Sequence, residues 1–223
     1  MNNRYIERAH ISEPVFRRVL KLFALDLPAT KTAELVPISR QAVQRIYCLL
    51  RERIVRLALE ELRPFEGEIE IDESYFGPRR VRGKRGRGAS GKIPVVGLHK
   101  RGHCVYVSIV QRVSRKEIVP IIKGRVLTGS DVYTDGWTAY DGLLTSGYRH
   151  HRIYHRHNQF ARGKNHINGI ESFWSFAKAR MTRLRGVRRD RFLIHLKECE
   201  WRFNHRRNNI YQLLLHECRL KPL

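Results

Sequence analysis

Acidic residues are scarce in this 223-residue chain: 21 Asp and Glu stand against 44 Lys and Arg, a formal charge of +23 with His neutral. So large a surplus excludes a basic partner and favours polyanions, nucleic acid before anionic membrane. Long apolar runs are also missing. No stretch offers the ~20 nearly uncharged apolar residues of a spanning helix. Charges break MNNRYIERAHISEPVFRRVLKLF before it can supply the ~7 to 15-residue apolar core of a signal peptide. The four cysteines, Cys48, Cys104, Cys199 and Cys218, lie far apart and form no C-x-x-C pair, which argues against a zinc ribbon or a disulfide frame. These absences together lead us to expect a cytoplasmic protein without membrane contact. Its hydrophobic content of 42% is too high for a disordered polycation. The length allows one large or two modest domains with a real core.

Residues 1–65 carry apolar positions such as Val15, Val19, Leu22 and Phe23 at three- and four-residue spacings and read as helical. Within them, ATKTAELVPISRQAVQRIYCLLRERI has the form of a helix-turn-helix. Thr30 or Thr32 is the expected cap of a short helix, Pro37 its end, and Ser39 the cap of the next. The second helix then presents Arg40, Gln41, Gln44 and Arg45 near its N-terminus, side-chain types that reach base edges or phosphates in a major groove. An ordinary helical hairpin with a solvated polar face is the plainer alternative. From Glu66 the period becomes alternating. GEIEIDESYF, IPVVGLH and CVYVSIVQRV read as strands, SRKEIVPIIKGRV as a helix with a possible kink at Pro120, SDVYTDG as a strand, WTAYDGLL as a short helix and HRIYH as a strand. Residues 167–185 and 190–206 read as two helices parted near Gly186, and 207–223 as a tail. Between the first two strands, PRRVRGKRGRGASGK has no apolar period and reads as a flexible basic loop.

The chain has six aspartates, and between Ile118 and Arg189 its acids are Asp131, Asp135, Asp141 and Glu171. Asp72 and Glu73 follow Ile71 in the first strand, where alternation turns them to opposite faces. Asp135 ends a strand at a Gly turn, and Glu171 opens the amphipathic helix INGIESFWSFAK, where negative charge suits the helix N-terminus. Carboxylates at two strand ends and a helix start are placed to meet at one sheet edge. The chemistry needing such a meeting is two-metal phosphoryl transfer, with ions about 3.5 to 4 Å apart. Hard divalent ions, Mg2+ with Mn2+ as the alternative, take oxygen ligands. The interval 171 − 135 = 36 leaves 35 residues between Asp135 and Glu171.

The segments IDESYFG (71–77), the basic Gly-rich run after it, VYTDGWTAYDGL (132–143) and NHINGIESFWSFAKARM (165–181) together resemble DDE-type insertion-sequence transposases of the ISXO-like branch. The resemblance covers about residues 66–206. It implies an RNase H-like, retroviral-integrase type α/β core, a mixed sheet flanked by helices, over 66–206, following an all-helical helix-turn-helix domain over 1–65. It further implies that Asp72, Asp135 and Glu171 bind metal and catalyse DNA strand cleavage and 3′-OH strand transfer. The implied partners are transposon terminal inverted repeats and target DNA, engaged by a homodimer or higher assembly at a bacterial nucleoid. Many relatives carry a zinc-ribbon-like segment before the helix-turn-helix, whereas this chain has no cysteine before Cys48. Repeat recognition is therefore expected of the helical domain and the basic loop.

Each of these residues also has a structural alternative. Strand-end carboxylates accept backbone N–H bonds in turns, and Glu171 could serve the helix dipole alone. Glu73 is the substitute for Asp72, and Asp141 for Asp135. His166 and Asn168 stand just before Glu171, Asn168 on the same helical face, and are expected to support the site by reaching metal-bound water or a DNA phosphate. His155, His157 and His166 invite a zinc reading, but no cysteine or carboxylate nearby completes a tetrahedral site, and a solvated basic strand is the plainer account. Phe173, Trp174, Phe176 and Trp201 are expected in the core; Trp137, two residues past Asp135, could stack on a DNA end. Arg79, Arg80, Arg82, Lys84, Arg85, Arg87 and Lys92 lie between two strands of one core, which favours contact with the phosphate backbone over a merely solvated run. A regulator that binds DNA through a helix-turn-helix, and an RNase H-like nuclease using only water, are the alternative functions.

Overall fold

The computed structural model describes residues 3–77, 91–135, 140, 146–153, 166–184 and 186–223. Its backbone divides into two compact units, Met1–Glu61 with Arg180–Leu223, and Leu62–Ala179.

The first unit is helical. Helices α1 (Glu13–Ala24), α2 (Ala29–Ala33) and α3 (Arg40–Glu60) come from the N-terminal part, and α6 (Phe192–Asn204) and α7 (Ile210–Leu220) from the C-terminal part. Ser39 caps α3 as its residue type demands, its hydroxyl accepting from the Ala42 N–H at 3.2 Å. The threonines do not cap α2: Pro28 precedes that helix, and Thr32 lies inside it, buried and 2.7 Å from the Tyr47 hydroxyl. Val43, Ile46, Tyr47, Leu50 and Ile54 form the apolar stripe of α3 and share a core with Phe16, Val19, Leu20, Phe23, Trp201, Leu214 and Cys218. Residues 210–220, expected as part of a tail, are therefore a core-forming helix, because Leu214 and Cys218 recur at helical spacing. This core encloses Glu198, fully buried, which accepts from Arg51 at 2.8 Å, from Arg202 at 2.9 Å and from Arg180. Arg180 also pairs with Asp26.

The second unit is built on a sheet of five strands in the order β3-β2-β1-β4-β5. They are β1 (Glu68–Phe76), β2 (Ile93–Lys100), β3 (Val105–Ile109), β4 (Asp131–Asp135) and β5 (Arg149–Ile153). The first three run antiparallel in turn, while β4 is parallel to β1 and β5 to β4. Between β3 and β4 the chain crosses through α4 (Arg115–Arg125), with Pro120 inside it, and α5 (Asn168–Arg183) follows β5. This mixed sheet flanked by helices is the RNase H-like fold the sequence led us to expect. β3 ends at Ile109, short of the expected Val113, and β5 begins at Arg149, two residues before the expected start. The parallel pair Asp131↔Arg149 sets that start, since Arg149 and His151 both bond Asp131.

Ile69 and Ile71 of β1 pack with Val96, Leu98, Val132, Ile118, Ile122 and Tyr140 on one face of the sheet. The alternate residues face α5. Gly97 pairs with Asp72, and a Cβ there would lie 2.6 Å from the Trp174 ring and 2.7 Å from Ile170. Glycine is what allows α5 to lie so close to the sheet. Phe173 and Trp174 are buried, as expected.

Candidate active site

β1 is the centre of the sheet, and its parallel pairing with β4 ends at Ile71↔Thr134. The next residue on each strand is an aspartate, so Asp72 and Asp135 leave adjacent strands side by side where the ladder stops. Glu73 leaves β1 on the other face, as alternation requires, and its Oε1 accepts from the Tyr140 hydroxyl at 2.7 Å. Its longer side chain nevertheless reaches the same place: one oxygen each from Asp72, Glu73 and Asp135 lie within 4.8 Å of one another, all three half-buried. Opposite faces thus do not keep Asp72 and Glu73 apart, because the ladder between β1 and β4 has already opened.

Glu171 stands exposed in the first turn of α5. It is outside the converging three, yet close enough that its charge helps raise the Asp72 pKa. Burial, then the Asp135 charge, contribute more, and together they push Asp72 up to about 6. Burial chiefly, with the charges of Asp72 and Asp135, pushes Glu73 up to about 7. Trp174 donates its indole N–H to Asp72 Oδ2 at 3.0 Å. Sequence reasoning assigned Trp174 to the core alone. Its three-residue spacing from Glu171, one helical face, was the available signal.

Converging carboxylates raise one another's pKa because their charges repel without a counter-ion. A divalent cation removes that penalty, and an all-oxygen donor set with room for water suits Mg2+ or Mn2+. The residues present fit such an ion. Asp131, the other described acid on β4, is instead held well below the usual carboxylate range by hydrogen bonds from Arg149 and His151. It is an ion-pair partner at the far end of the strand. Asp141, Trp137, His155 and His157 lie outside the described residues, as do Arg79, Arg80, Arg82, Lys84, Arg85 and Arg87. Lys92 precedes β2 opposite Gly77, at the carboxylate end of β1. Asn168 is exposed at the start of α5, and His166 Nδ1 lies 3.5 Å from Glu70.

In the helical unit, Arg40, Gln41, Gln44 and Arg45 are all exposed on the first turns of α3. Arg40 and Gln44 line a cleft of about 280 Å³ together with Arg188 and Arg191. Those two arginines, remote in sequence, were not among the expected DNA-binding residues. Among the described residues no helix is long and apolar enough to cross a membrane.

Two curated proteins show what the chain is similar to. It is 43% identical over 100 residues to an uncharacterized transposase-like protein of Haemophilus influenzae, covering 45% of this chain and 80% of that protein. It is 33% identical over 168 residues to an uncharacterized protein in transposable element ISH50 of Halobacterium salinarum, covering 68% of this chain and 57% of that protein. Among solved structures, the HTLV-2 integrase catalytic core domain in complex with magnesium aligns at 12% identity and TM-score 0.38, over 64% of this chain and 87% of that one. The Mos1 strand transfer complex aligns at 11% identity and TM-score 0.40, over 96% of this chain and 78% of that one. The sequence profile of the ISXO2-like transposase domain matches residues 64–204, and this chain belongs to that family.

Proposed function

We propose that this protein is a DNA transposase that cleaves a phosphodiester at the ends of an insertion sequence and joins the exposed 3′-OH to target DNA. The observation that carries the reading is the convergence of Asp72, Glu73 and Asp135 where the β1–β4 ladder opens, with the charge of Glu171 on α5 near enough to Asp72 to raise its pKa. Asp72, Asp135 and Glu171 would hold Mg2+, or Mn2+, with Glu73 beside them; such ions would supply Lewis-acid activation of the attacking oxygen and neutralise charge on the phosphate. The protein's own groups orient and exclude. The Trp174 indole holds Asp72 in one rotamer, Tyr140 holds Glu73, and the buried aromatic face of α5 keeps water from behind the carboxylates. His166 and Asn168 support the site from the start of α5.

DNA enters through charge. The helical unit, to which residues 1–65 contribute together with α6 and α7, is the proposed DNA-binding domain, and the unit built on the five-stranded sheet, Leu62–Ala179, is the proposed catalytic one. Arg40, Gln41, Gln44 and Arg45 read the terminal inverted repeats from α3, and Arg188 and Arg191 add phosphate contacts beside them. Lys92 and the basic side chains of Arg79, Arg80, Arg82, Lys84, Arg85 and Arg87 contact the DNA phosphate backbone. Acting at two transposon ends requires two active sites, hence a homodimer or larger assembly on DNA, working at the nucleoid.

The test is a strand-transfer assay with oligonucleotides carrying the flanking element's ends, comparing wild type with Asp135→Ala, with and without Mg2+. Joined products that vanish in the variant and without metal support the reading. Nicking without joining would favour a nuclease that uses water alone, and binding without cleavage under any metal would favour a DNA-binding regulator.

A further inference from the structure

Glu70 is a carboxylate buried to 1% exposure in the middle of β1, two residues before Asp72 and so on the same face. Burying a charge is costly unless directional partners surround it. Glu70 has them on every side. Oε1 accepts from Arg101 Nε at 3.0 Å and lies 3.5 Å from His166 Nδ1, while Oε2 lies 3.3 Å from His99 Nδ1. Oε2 also accepts the backbone N–H of Ile170 at 2.9 Å. That N–H belongs to the first turn of α5, where the amides have no acceptor within the helix. Glu171 is the next residue.

The backbone around this bond leaves no slack. A Cβ on Gly169 would lie 2.2 Å from the His99 ring and 2.8 Å from Glu70 Oε2, so the helix start sits directly on the two side chains. Arg101 holds the chain just ahead of the helix by donating to the His166 carbonyl at 2.5 Å, and its own guanidinium lies 3.8 Å from the centre of the Tyr133 ring. Glu171 itself is exposed, so no packing of its side chain determines where it stands.

We propose that Glu70 is a positioning residue for Glu171: by accepting the Ile170 N–H it seats the first turn of α5 on β1, and thereby sets the distance from Glu171 to Asp72 and Asp135. Arg101 and His99 serve by holding Glu70, and Gly169 by letting the backbone reach it. The inference rests on the proposed metal-holding role of Glu171.

The experiment uses the full chain and compares wild type, Glu70→Ala, Glu70→Gln, Glu171→Gln and the double variant Glu70→Ala/Glu171→Gln. Three quantities are read: the Mg2+ concentration for half-maximal end cleavage, Mn2+ affinity by calorimetry, and amide hydrogen exchange over residues 168–173. Glu70→Ala is expected to raise the Mg2+ requirement and weaken Mn2+ binding by about 10- to 100-fold, and to speed exchange at Ile170, with DNA binding unchanged. Glu70→Gln retains an oxygen for the Ile170 N–H and is expected to keep its exchange protection. If Glu70 acts through Glu171, the double variant binds Mn2+ no more weakly than Glu171→Gln alone; fully additive losses would overturn the proposal. Wild-type metal dependence and exchange in Glu70→Ala would overturn it as well. Should Glu70→Ala not fold, Gly169→Ala, which crowds His99 and Glu70 Oε2, provides the second perturbation and is expected to weaken Mn2+ binding and speed exchange at Ile170; wild-type Mn2+ affinity and exchange in that variant would overturn the proposal. A wild-type protein that cleaves no DNA with any metal would refute the transposase reading, while exchange at Ile170 and Mn2+ affinity would still decide the role of Glu70.

Discussion

Replacing Asp72 by Asn is expected to stabilise the metal-free protein at pH 8 while removing its response to metal. Folding moves the Asp72 carboxyl from its usual 3.8 up to about 6, through burial first and then the charges of Asp135 and Glu171. A folded-state pKa above the unfolded one means that the folded protein binds the proton more tightly. The stability that Asp72 contributes is therefore fully present below about pH 4 and is lost as pH rises through about 6. At about 1.4 kcal/mol per pH unit, the ionised carboxylate costs the metal-free fold about 3 kcal/mol at pH 8. Asn keeps the shape, and its oxygen can still accept from Trp174, so the variant escapes most of that cost. The gain has an upper bound of about 3 kcal/mol, or roughly 6 to 12 °C in Tm for a chain of this size, and vanishes near pH 4. Adding Mg2+ reverses the order, because an ion that binds only the folded carboxylate site stabilises wild type in proportion to its occupancy. Scanning calorimetry at pH 4.5 and pH 8, in EDTA and in Mg2+, measures all four corners. Equal pH slopes in EDTA for wild type and Asp72→Asn, or a variant less stable at pH 8, would refute the argument that repulsion and burial set this carboxylate's proton affinity.

Three further outcomes follow from named contacts. Trp174→Phe keeps an aromatic ring over Gly97 but removes the N–H that Asp72 accepts; end cleavage is expected to drop by about 10- to 100-fold with DNA binding intact, and a full cleavage rate would show that the indole does not orient Asp72. Glu198→Ala strips the shared partner from the buried Arg51, Arg180 and Arg202 and is expected to cost about 3 to 5 kcal/mol in urea unfolding; a loss below about 1 kcal/mol would mean that the arginines find other acceptors. Arg188→Ala/Arg191→Ala is expected to weaken binding to end DNA and to random DNA alike, and to make the slope of log K against log salt shallower by about 1.8, at about 0.9 per phosphate contact; an unchanged slope would remove the cleft from the DNA surface.

Much of this was legible from residue order. The switch from a 3.6-residue to a two-residue period near Glu66 separates α3 from β1, and Ser39 marks the start of α3 because its side chain can cap only a helix that begins there. The scarcity of acids drew attention to Asp72, Asp135 and Glu171, and local alternation correctly put Asp72 and Glu73 on opposite faces. These are short-range properties, determined by backbone sterics and by the side chain's own length. Local order did not disclose that Glu73 and Asp72 reach one place, since that depends on where the β1–β4 ladder stops. Nor did it disclose the tie from Glu70 to Ile170, a hundred residues apart, or the return of α6 and α7 to the core that α1 and α3 begin. The sequence by itself determined the charge, the elements and the chemical types available. Tertiary structure decided which carboxylates share a site and what holds them there, because repulsion, desolvation and hydrogen bonding act over a few ångströms of space whatever the separation along the chain.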